Sequence, residues 1–266
     1  MTYHLGYSDA EHERLIRQAI RLAPVTEHFF REAGIGLGQR VLEIGSGMGD
    51  VAMLAARIVG PSGSVVAIER DRSSIDGARA RAAHANLHNV EFVQSDIDAY
   101  STNRSFDAVV GRYVLQFLPD PIATLRSVAN LVRPGGIVAF QEGSWTPFIA
   151  LSAHLPLWSE AVLLLHEAAS RAGVNLEMGT ALQRVFRAAG LPKPRMRLEM
   201  ELDNDRDFVR WTSDVVKSVL PQLERLSLSY ESLGGLDTLE ERLTREVVES
   251  DTVVPWIGLV GAWCHK

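Results

Sequence analysis

Short apolar runs alternate with longer amphipathic stretches along the first half of the chain. The runs are four to eight residues long, are rich in β-branched side chains and end at glycine or polar residues, which predicts buried strands separated by helices. They lie at residues 41–44, 64–69, 89–96, 106–111 and 137–142. Strands that alternate with helices in this way predict an α/β fold built on a mostly parallel sheet.

Three further regions lie outside this pattern. The N-terminal stretch carries a capping box, Ser8 with Glu11, and apolar residues at helical spacing up to Pro24, which we expect to break or restart the helix. Residues 195–202 alternate as a sixth strand, and residues 253–265 predict an antiparallel seventh strand. The predicted units are an N-terminal helical cap at 1–35, a ligand-binding core at 36–142, a lid insertion at 143–175, a core helix with the sixth strand at 176–202, a helical insertion at 203–250 and the last strand at 251–266.

The most informative motif is VLEIGSGMGD at residues 41–50. A strand that runs into a glycine-rich turn and then a helix lets a ligand lie against bare backbone near the helix N-terminus. A dinucleotide fingerprint needs a small residue where this chain has Asp50. We expect this carboxylate to repel a diphosphate and to suit a ligand that carries an ammonium or sulfonium group.

On these residues the chain resembles the class I S-adenosylmethionine-dependent methyltransferases of the small-molecule type, and the resemblance extends through GRYVLQFLPDP and RPGGIVAFQE. It implies a Rossmann-like, seven-stranded, mostly parallel sheet with helices on both faces and helical lid insertions. It also implies S-adenosyl-L-methionine as cofactor and S-adenosyl-L-homocysteine as product. Glu69, 24 residues after Gly45, becomes the expected ribose ligand, and Asp96 the expected adenine ligand, although either residue could instead cap a helix. The implied cofactor residues are Tyr7, Glu43, Gly45, Ser46, Gly47, Gly49, Glu69, Arg70, Ser95, Asp96, Ile97, Arg112, Tyr113 and Gln116.

Aromatic residues and prolines follow the fifth predicted strand, where a lid would cover the crevice. We expect Trp145, Phe148 and His166 to contact the substrate, and His166 and Tyr7 to be catalytic candidates. A histidine in such an apolar helix is more often a core residue, which is the alternative for His166. The resemblance implies that the N-terminal segment lies across the cofactor, where Tyr3 and Tyr7 would cover it, although both could equally pack the first helix onto the core. If the acceptor must lose a proton, the candidate bases are His4, His12, His154, His166, Tyr7, Tyr113 and Glu142.

Composition narrows the function further. A net charge of −6 disfavours nucleic-acid binding, and a lone cysteine, Cys264, excludes a cysteine-based metal site. His84 and His88 are spaced like a metal pair, but no third ligand is evident, so we expect no metal. There is no secretory signal and no apolar run long enough to span a membrane, which predicts a cytoplasmic protein. A homodimer is possible.

The sequence therefore predicts methyl transfer to a small organic acceptor. Two alternatives belong to other classes. A cofactor-pocket protein could catalyse a cyclisation or decarboxylation without methyl transfer. A NAD-dependent dehydrogenase is disfavoured by Asp50 and by the absence of a Tyr-x-x-x-Lys motif.

Overall fold

The computed structural model describes residues 9–266 as a seven-stranded sheet with helices on both faces. The strands are β1 Arg40–Ile44, β2 Ser64–Glu69, β3 Val90–Gln94, β4 Phe106–Arg112, β5 Val132–Ser144, β6 Arg195–Glu199, β7 Leu202–Asp203, β8 Val254–Pro255 and β9 Gly258–His265. The helices are α1 Asp9–Ala33, α2 Asp50–Val59, α3 Arg72–His84, α4 Pro121–Asn130, α5 Trp145–Ser152, α6 Pro156–Arg171, α7 Met178–Ala188, α8 Arg206–Ser218, α9 Leu220–Arg225 and α10 Leu239–Glu249. This confirms the predicted Rossmann-like α/β class.

The sheet order is β3-β2-β1-β4-β5-β9-β6. The first five strands pair in parallel, and β9 runs antiparallel between β5 and β6. Strand β1 is central and its last four residues are buried, because helices cover both of its faces. The order reverses beside β1, between β2 and β4, so the carboxyl ends of these strands open a crevice of the kind in which α/β proteins bind ligands.

Two expectations about the elements were wrong. Helix α1 continues through Pro24. Proline removes one hydrogen bond to the carbonyl of Ile20, but Ile20 is 69% exposed, so water can bond to this carbonyl in its place. The sixth strand ends at Glu199, and the chain then forms a separate two-stranded sheet in which Leu202 pairs with Pro255.

Helices α5, α6, α8, α9 and α10 form a layer above the carboxyl ends of the strands. Their apolar side chains make a hydrophobic cluster of their own, which includes Trp158, Val216 and Leu243. A carboxylate holds each of two helix starts in this layer: Glu177 accepts hydrogen bonds from Trp145 N and Thr146 N, and Glu246 accepts them from Leu157 N and Trp158 N.

No helix within residues 9–266 is both long enough and apolar enough to cross a bilayer.

Candidate functional site

A cavity of about 740 Å³ lies between the carboxyl ends of the central strands and the helical layer. One half of it is formed by residues that follow β1, β2, β3 and β4, and we call this the cradle half. The other half is formed mainly by side chains of the helical layer, and we call it the aromatic half. The volume falls within the range of about 300–1,000 Å³ that is usual for sites binding small molecules.

The glycine turn after β1 forms the floor of the cradle half. Gly45, Gly47 and Gly49 all have positive φ, and Gly45 N and Ser46 N donate hydrogen bonds to Ile68 O. A Cβ atom on Gly45 would lie 2.7 Å from Val114 Cγ2, whereas one on Gly47 would meet no atom of residues 9–266 within 4 Å. Gly47 lines the cavity, so this open space is where a ligand can approach the backbone.

Glu69 joins the end of β2 to this turn. Its carboxylate accepts hydrogen bonds from Gly47 N at 2.9 Å, Arg70 N at 2.8 Å and Asp71 N at 2.9 Å. Glu69 does not cap α3, because Asp71 accepts the hydrogen bond from Ser74 N at that helix start. The Glu69 side chain thus fixes the glycine turn and lines the cavity, as the proposed ribose ligand must.

Asp50 has a neighbour that the sequence pattern did not indicate. Its carboxylate forms an ion pair with Arg81 of α3 at 2.5 Å. Because Arg81 compensates this charge, the expectation that the Asp50 carboxylate would repel a diphosphate was wrong. The close approach of helix to strand occurs instead at Gly49, where a Cβ atom would lie 2.9 Å from both Ala78 Cβ and Phe92.

Glu43, Ser46 and Arg112 place buried polar groups beside the glycine turn. Glu43 is 2% exposed, and burial raises the pKa of its carboxyl to about 8, against the opposing effect of Arg112. Glu43 Oε2 and Ser46 Oγ have no hydrogen-bond partner among the described residues, while Arg112 donates to Thr26 Oγ1 of α1 at 2.8 Å. These buried groups fit a ligand that carries both an ammonium and a carboxylate, as the methionine part of S-adenosylmethionine does.

The raised pKa of Glu43 predicts a pH dependence of stability. The folded chain holds this proton up to pH about 8, whereas the unfolded chain releases it near the ordinary value of 4.5. The ligand-free protein should therefore lose stability, on the order of a few kcal/mol, as pH rises through this window. Glu43→Gln should remove this part of the slope in melting temperatures measured from pH 5 to 9.

Glu142 adds a slope of the same sign, because burial raises its pKa to about 7, so the variant should flatten the profile only in part. Exposed Glu91→Gln is the matched control and should keep the full slope. If Glu43→Gln and the wild type show equal slopes, Glu43 does not titrate as described.

The proposed adenine side of the cradle is more open. Arg70, Ser95, Asp96 and Ile97 all line the cavity. Asp96 precedes a short 3₁₀ turn over Ile97–Ala99, but its side chain makes no capping hydrogen bond. The alternative that Asp96 acts as a helix cap therefore finds no support, and its exposed carboxylate is available to a ligand.

Tyr113 and Gln116 lie where the cradle half meets the aromatic half. Tyr113 has φ of +54°, an uncommon conformation for a residue with a side chain. The turn that follows is held by Glu142, whose carboxylate accepts hydrogen bonds from Val114 N, Leu115 N and Gln116 N. Glu142 is fully buried, does not line the cavity and uses its oxygens on these amides, so the geometry gives it a structural role.

Three tryptophans form much of the aromatic half. Trp145 comes from α5, Trp211 from α8, and Trp256 from the segment between β8 and β9. Aliphatic residues such as Leu165 and Val215 complete the wall. Trp211 and Trp256 were not among the predicted site residues. Trp211, Val215 and Val219 share one face of α8 and its continuation at helical spacing, a signal that could have indicated Trp211.

The other predicted substrate residues lie behind this wall. Phe148 is fully buried, and the centroid of its ring lies 5.6 Å from that of the Trp145 ring. The centroid of the His166 ring lies 6.0 Å from that of the Trp145 ring. Neither Phe148 nor His166 lines the cavity. The positions of Tyr3, His4 and Tyr7 lie outside the described residues.

The remaining histidines are distributed over the surface. His12 lies 3.3 Å from Ser74 Oγ, and His154 lies 3.3 Å from Thr252 Oγ1. Helix α3 ends at His84, so His84 and His88 do not share a helix. Within residues 9–266 no group of three or more histidine, cysteine, aspartate and glutamate side chains is arranged to hold a metal ion.

Comparison with known proteins agrees with this architecture. Aklanonic acid methyltransferase DauC of Streptomyces sp. (strain C5) is 35% identical over 134 residues, which are 45% of this chain and 61% of DauC. The ubiquinone/menaquinone biosynthesis C-methyltransferase UbiE of Hahella chejuensis is 35% identical over 115 residues, which are 42% of this chain and 46% of UbiE. The chain thus spans less than two thirds of the length of either relative.

The crystal structure of the YcgJ protein from Bacillus subtilis superposes with a TM-score of 0.59 at 15% identity, covering 91% of this chain and 97% of YcgJ. At this identity the likeness shows a shared fold. Residues 36–190, more than half of the chain, match the family model described as a methyltransferase domain. This match shows that the chain belongs to the methyltransferase-domain family, and the sheet order and the glycine turn after β1 agree with it.

Proposed function

We propose that this chain transfers a methyl group from S-adenosylmethionine to a small organic acceptor enclosed in the aromatic half. The observation that carries the proposal is the continuity of the cavity. It joins the cradle half to the aromatic half, which forms an apolar chamber, and Tyr113 and Gln116 lie at the junction. When bound, the cofactor supplies an electrophilic methyl group on a sulfonium. The protein residues then have to bind, align and desolvate the two reactants.

We assign each part of the cofactor to residues already described. Glu69 would accept hydrogen bonds from the ribose hydroxyls, and Asp96 would accept from the adenine amino group. Glu43 and Arg112 would balance the ammonium and carboxylate at the other end. We chose these four residues because all of them line the cavity and because Glu43 has a buried oxygen without a hydrogen-bond partner among the described residues.

Positioning is the main contribution that we assign to the protein. Holding two reactants in line and excluding water can lower the barrier by about 7–11 kcal/mol. No histidine lines the part of the cavity that residues 9–266 form. Burial raises the pKa of the Tyr113 hydroxyl, which keeps it neutral, and the Glu142 oxygens are engaged by backbone amides. These features support a mechanism in which neither the described histidines nor Tyr113 and Glu142 remove a proton from the acceptor.

A binding and turnover experiment tests the proposal. Calorimetry should show micromolar binding of S-adenosylmethionine and S-adenosylhomocysteine, about −8 kcal/mol, and no comparable binding of NAD. Incubation with cofactor carrying a deuterated methyl group and a fractionated metabolite extract should yield S-adenosylhomocysteine and a labelled product. Binding of NAD alone would overturn the assignment. Conversion of an acceptor with no S-adenosylhomocysteine formed would support the non-methylating alternative.

A further inference from the structure

The charge distribution in the cavity is strongly uneven. The acidic and basic side chains at the carboxyl ends of the strands, such as Glu43, Glu69 and Arg112, all lie in the cradle half. Leu165, Trp211 and Trp256 are typical of the other half, and the segments that supply them contribute no charged lining residue. A ligand in the aromatic half therefore exchanges water for hydrocarbon and indole surfaces.

Arg14 of α1 is a charged side chain that lines the cavity and is connected through Gln18 to Trp211 of the aromatic half. Its guanidinium forms a buried ion pair with Glu11 at 2.6 Å. It also donates to Gln18 Oε1 at 2.9 Å, and the same oxygen accepts from Trp211 Nε1 at 3.1 Å. The positive charge is thus compensated within α1. Because an uncompensated charge is costly to bury, the chamber disfavours a charged acceptor.

Two uncharged polar groups face each other at the junction of the two halves. The Tyr113 hydroxyl is buried, with the Trp256 indole beside it but outside hydrogen-bonding geometry. Gln116 is 9% exposed, and its Oε1 also has no partner among the described residues. Gly143 makes room for both, since a Cβ atom there would lie 3.4 Å from Tyr113 Cε1 and 3.3 Å from Gln116 Oε1.

A phenol and a primary amide together offer donors and acceptors at one point of an otherwise apolar chamber. Buried polar groups in native proteins are nearly always hydrogen-bonded, so this pair indicates a ligand atom that completes it. A hydroxyl or carbonyl oxygen can do so, and both bring no charge into the chamber. The oxygen would then sit at the boundary with the cradle half.

We propose that the acceptor is an uncharged, ring-bearing molecule with a hydroxyl or carbonyl oxygen that Tyr113 and Gln116 bind. The proposal rests on the proposed function and specifies the chemical class of its substrate. Tyr113 is then a positioning residue that places the acceptor relative to the cofactor. It selects for the oxygen, whereas the tryptophans select for the rings.

Four biphenyl probes of nearly equal size test the proposal: biphenyl, 4-phenylphenol, biphenyl-4-carboxylate and the cation of 4-phenylbenzylamine. Binding is measured at pH 7 by quenching of tryptophan fluorescence, with and without saturating S-adenosylhomocysteine. We expect 4-phenylphenol to bind most tightly, and both charged probes at least tenfold more weakly than 4-phenylphenol.

Tyr113→Phe should weaken 4-phenylphenol about fivefold and leave biphenyl unchanged, which a purely structural role of the hydroxyl would not produce. Tyr230→Phe is the matched control, because Tyr230 packs in the helical layer and does not line the cavity. Gln116→Met should also reduce the preference for 4-phenylphenol over biphenyl.

The outcomes separate the two proposals. If S-adenosylhomocysteine binds and either charged probe matches 4-phenylphenol, the acceptor class is wrong while the proposed function stands. Equal loss of biphenyl and 4-phenylphenol in Tyr113→Phe would also overturn the role given to its hydroxyl, as would failure of all four probes to bind. Absence of S-adenosylhomocysteine binding overturns the proposed function itself.

Discussion

Glu69→Ala is expected to weaken the binding of S-adenosylmethionine at least tenfold. In the proposed cofactor assignment, the substitution removes two charge-assisted hydrogen bonds to the ribose, each worth about 1.5–3 kcal/mol. It also removes the acceptor for Gly47 N, Arg70 N and Asp71 N, so the glycine turn should lose its fixed shape. Calorimetry with S-adenosylhomocysteine gives the dissociation constant, and thermal melting shows how much stability the turn contributes.

Glu91→Ala on β3 is the matched control, because this exposed carboxylate pairs with Arg104 and does not line the cavity. It should leave the dissociation constant unchanged. Glu69→Gln keeps an acceptor oxygen but removes the charge, so it should fall between the wild type and Glu69→Ala. An unaltered affinity in Glu69→Ala would place Glu69 outside the cofactor site.

Gly49→Ala should cost about 2–5 kcal/mol of folding free energy. About 1–2 kcal/mol of this comes from the left-handed backbone, since Gly49 has φ of +80°. A further 1–3 kcal/mol, roughly, comes from overpacking, because the new methyl group would lie 2.9 Å from Ala78 Cβ and from the Phe92 ring. Urea unfolding followed by circular dichroism measures the loss.

Gly47→Ala provides the contrast in the same turn. Its backbone is also left-handed, at φ of +49°, but the added methyl group meets no atom of the described part of the chain within 4 Å. We expect a stability loss of about 1–2 kcal/mol and a larger effect on cofactor affinity, since the methyl group points into the cavity. Equal stability losses in the two variants would contradict the packing role assigned to Gly49.

Local patterns were sufficient to predict the strands and the glycine turn. Strand β2 occupies Ser64–Glu69 as the apolar run indicated, because β-branched residues between two turns leave little freedom in where a buried strand starts and ends. The antiparallel last strand was predicted for the same reason. These features depend on residues that are close in sequence.

Interactions between residues distant in sequence were not predictable. The Asp50–Arg81 ion pair joins α2 to α3, and no spacing rule connects positions 31 residues apart. Trp256 enters the cavity because the chain forms β8 before it reaches β9, an irregularity that the continuous apolar run 253–265 conceals. The helix through Pro24 was missed because the exposure of Ile20 depends on how α1 packs.

The hydrophobic cluster of the helical layer is distinct from the two clusters that pack the faces of the sheet. Trp145, Trp211 and Leu165 belong to the former, whereas Val41, Leu42 and Ile44 of β1 belong to the latter. Substitutions in separate clusters tend to have additive effects on stability. The chamber can therefore be remodelled by directed evolution, one tryptophan at a time, while the strand and turn that hold the cofactor keep their packing. Under the proposed function, the fold thus separates the part of the protein that defines the reaction from the part that defines what undergoes it.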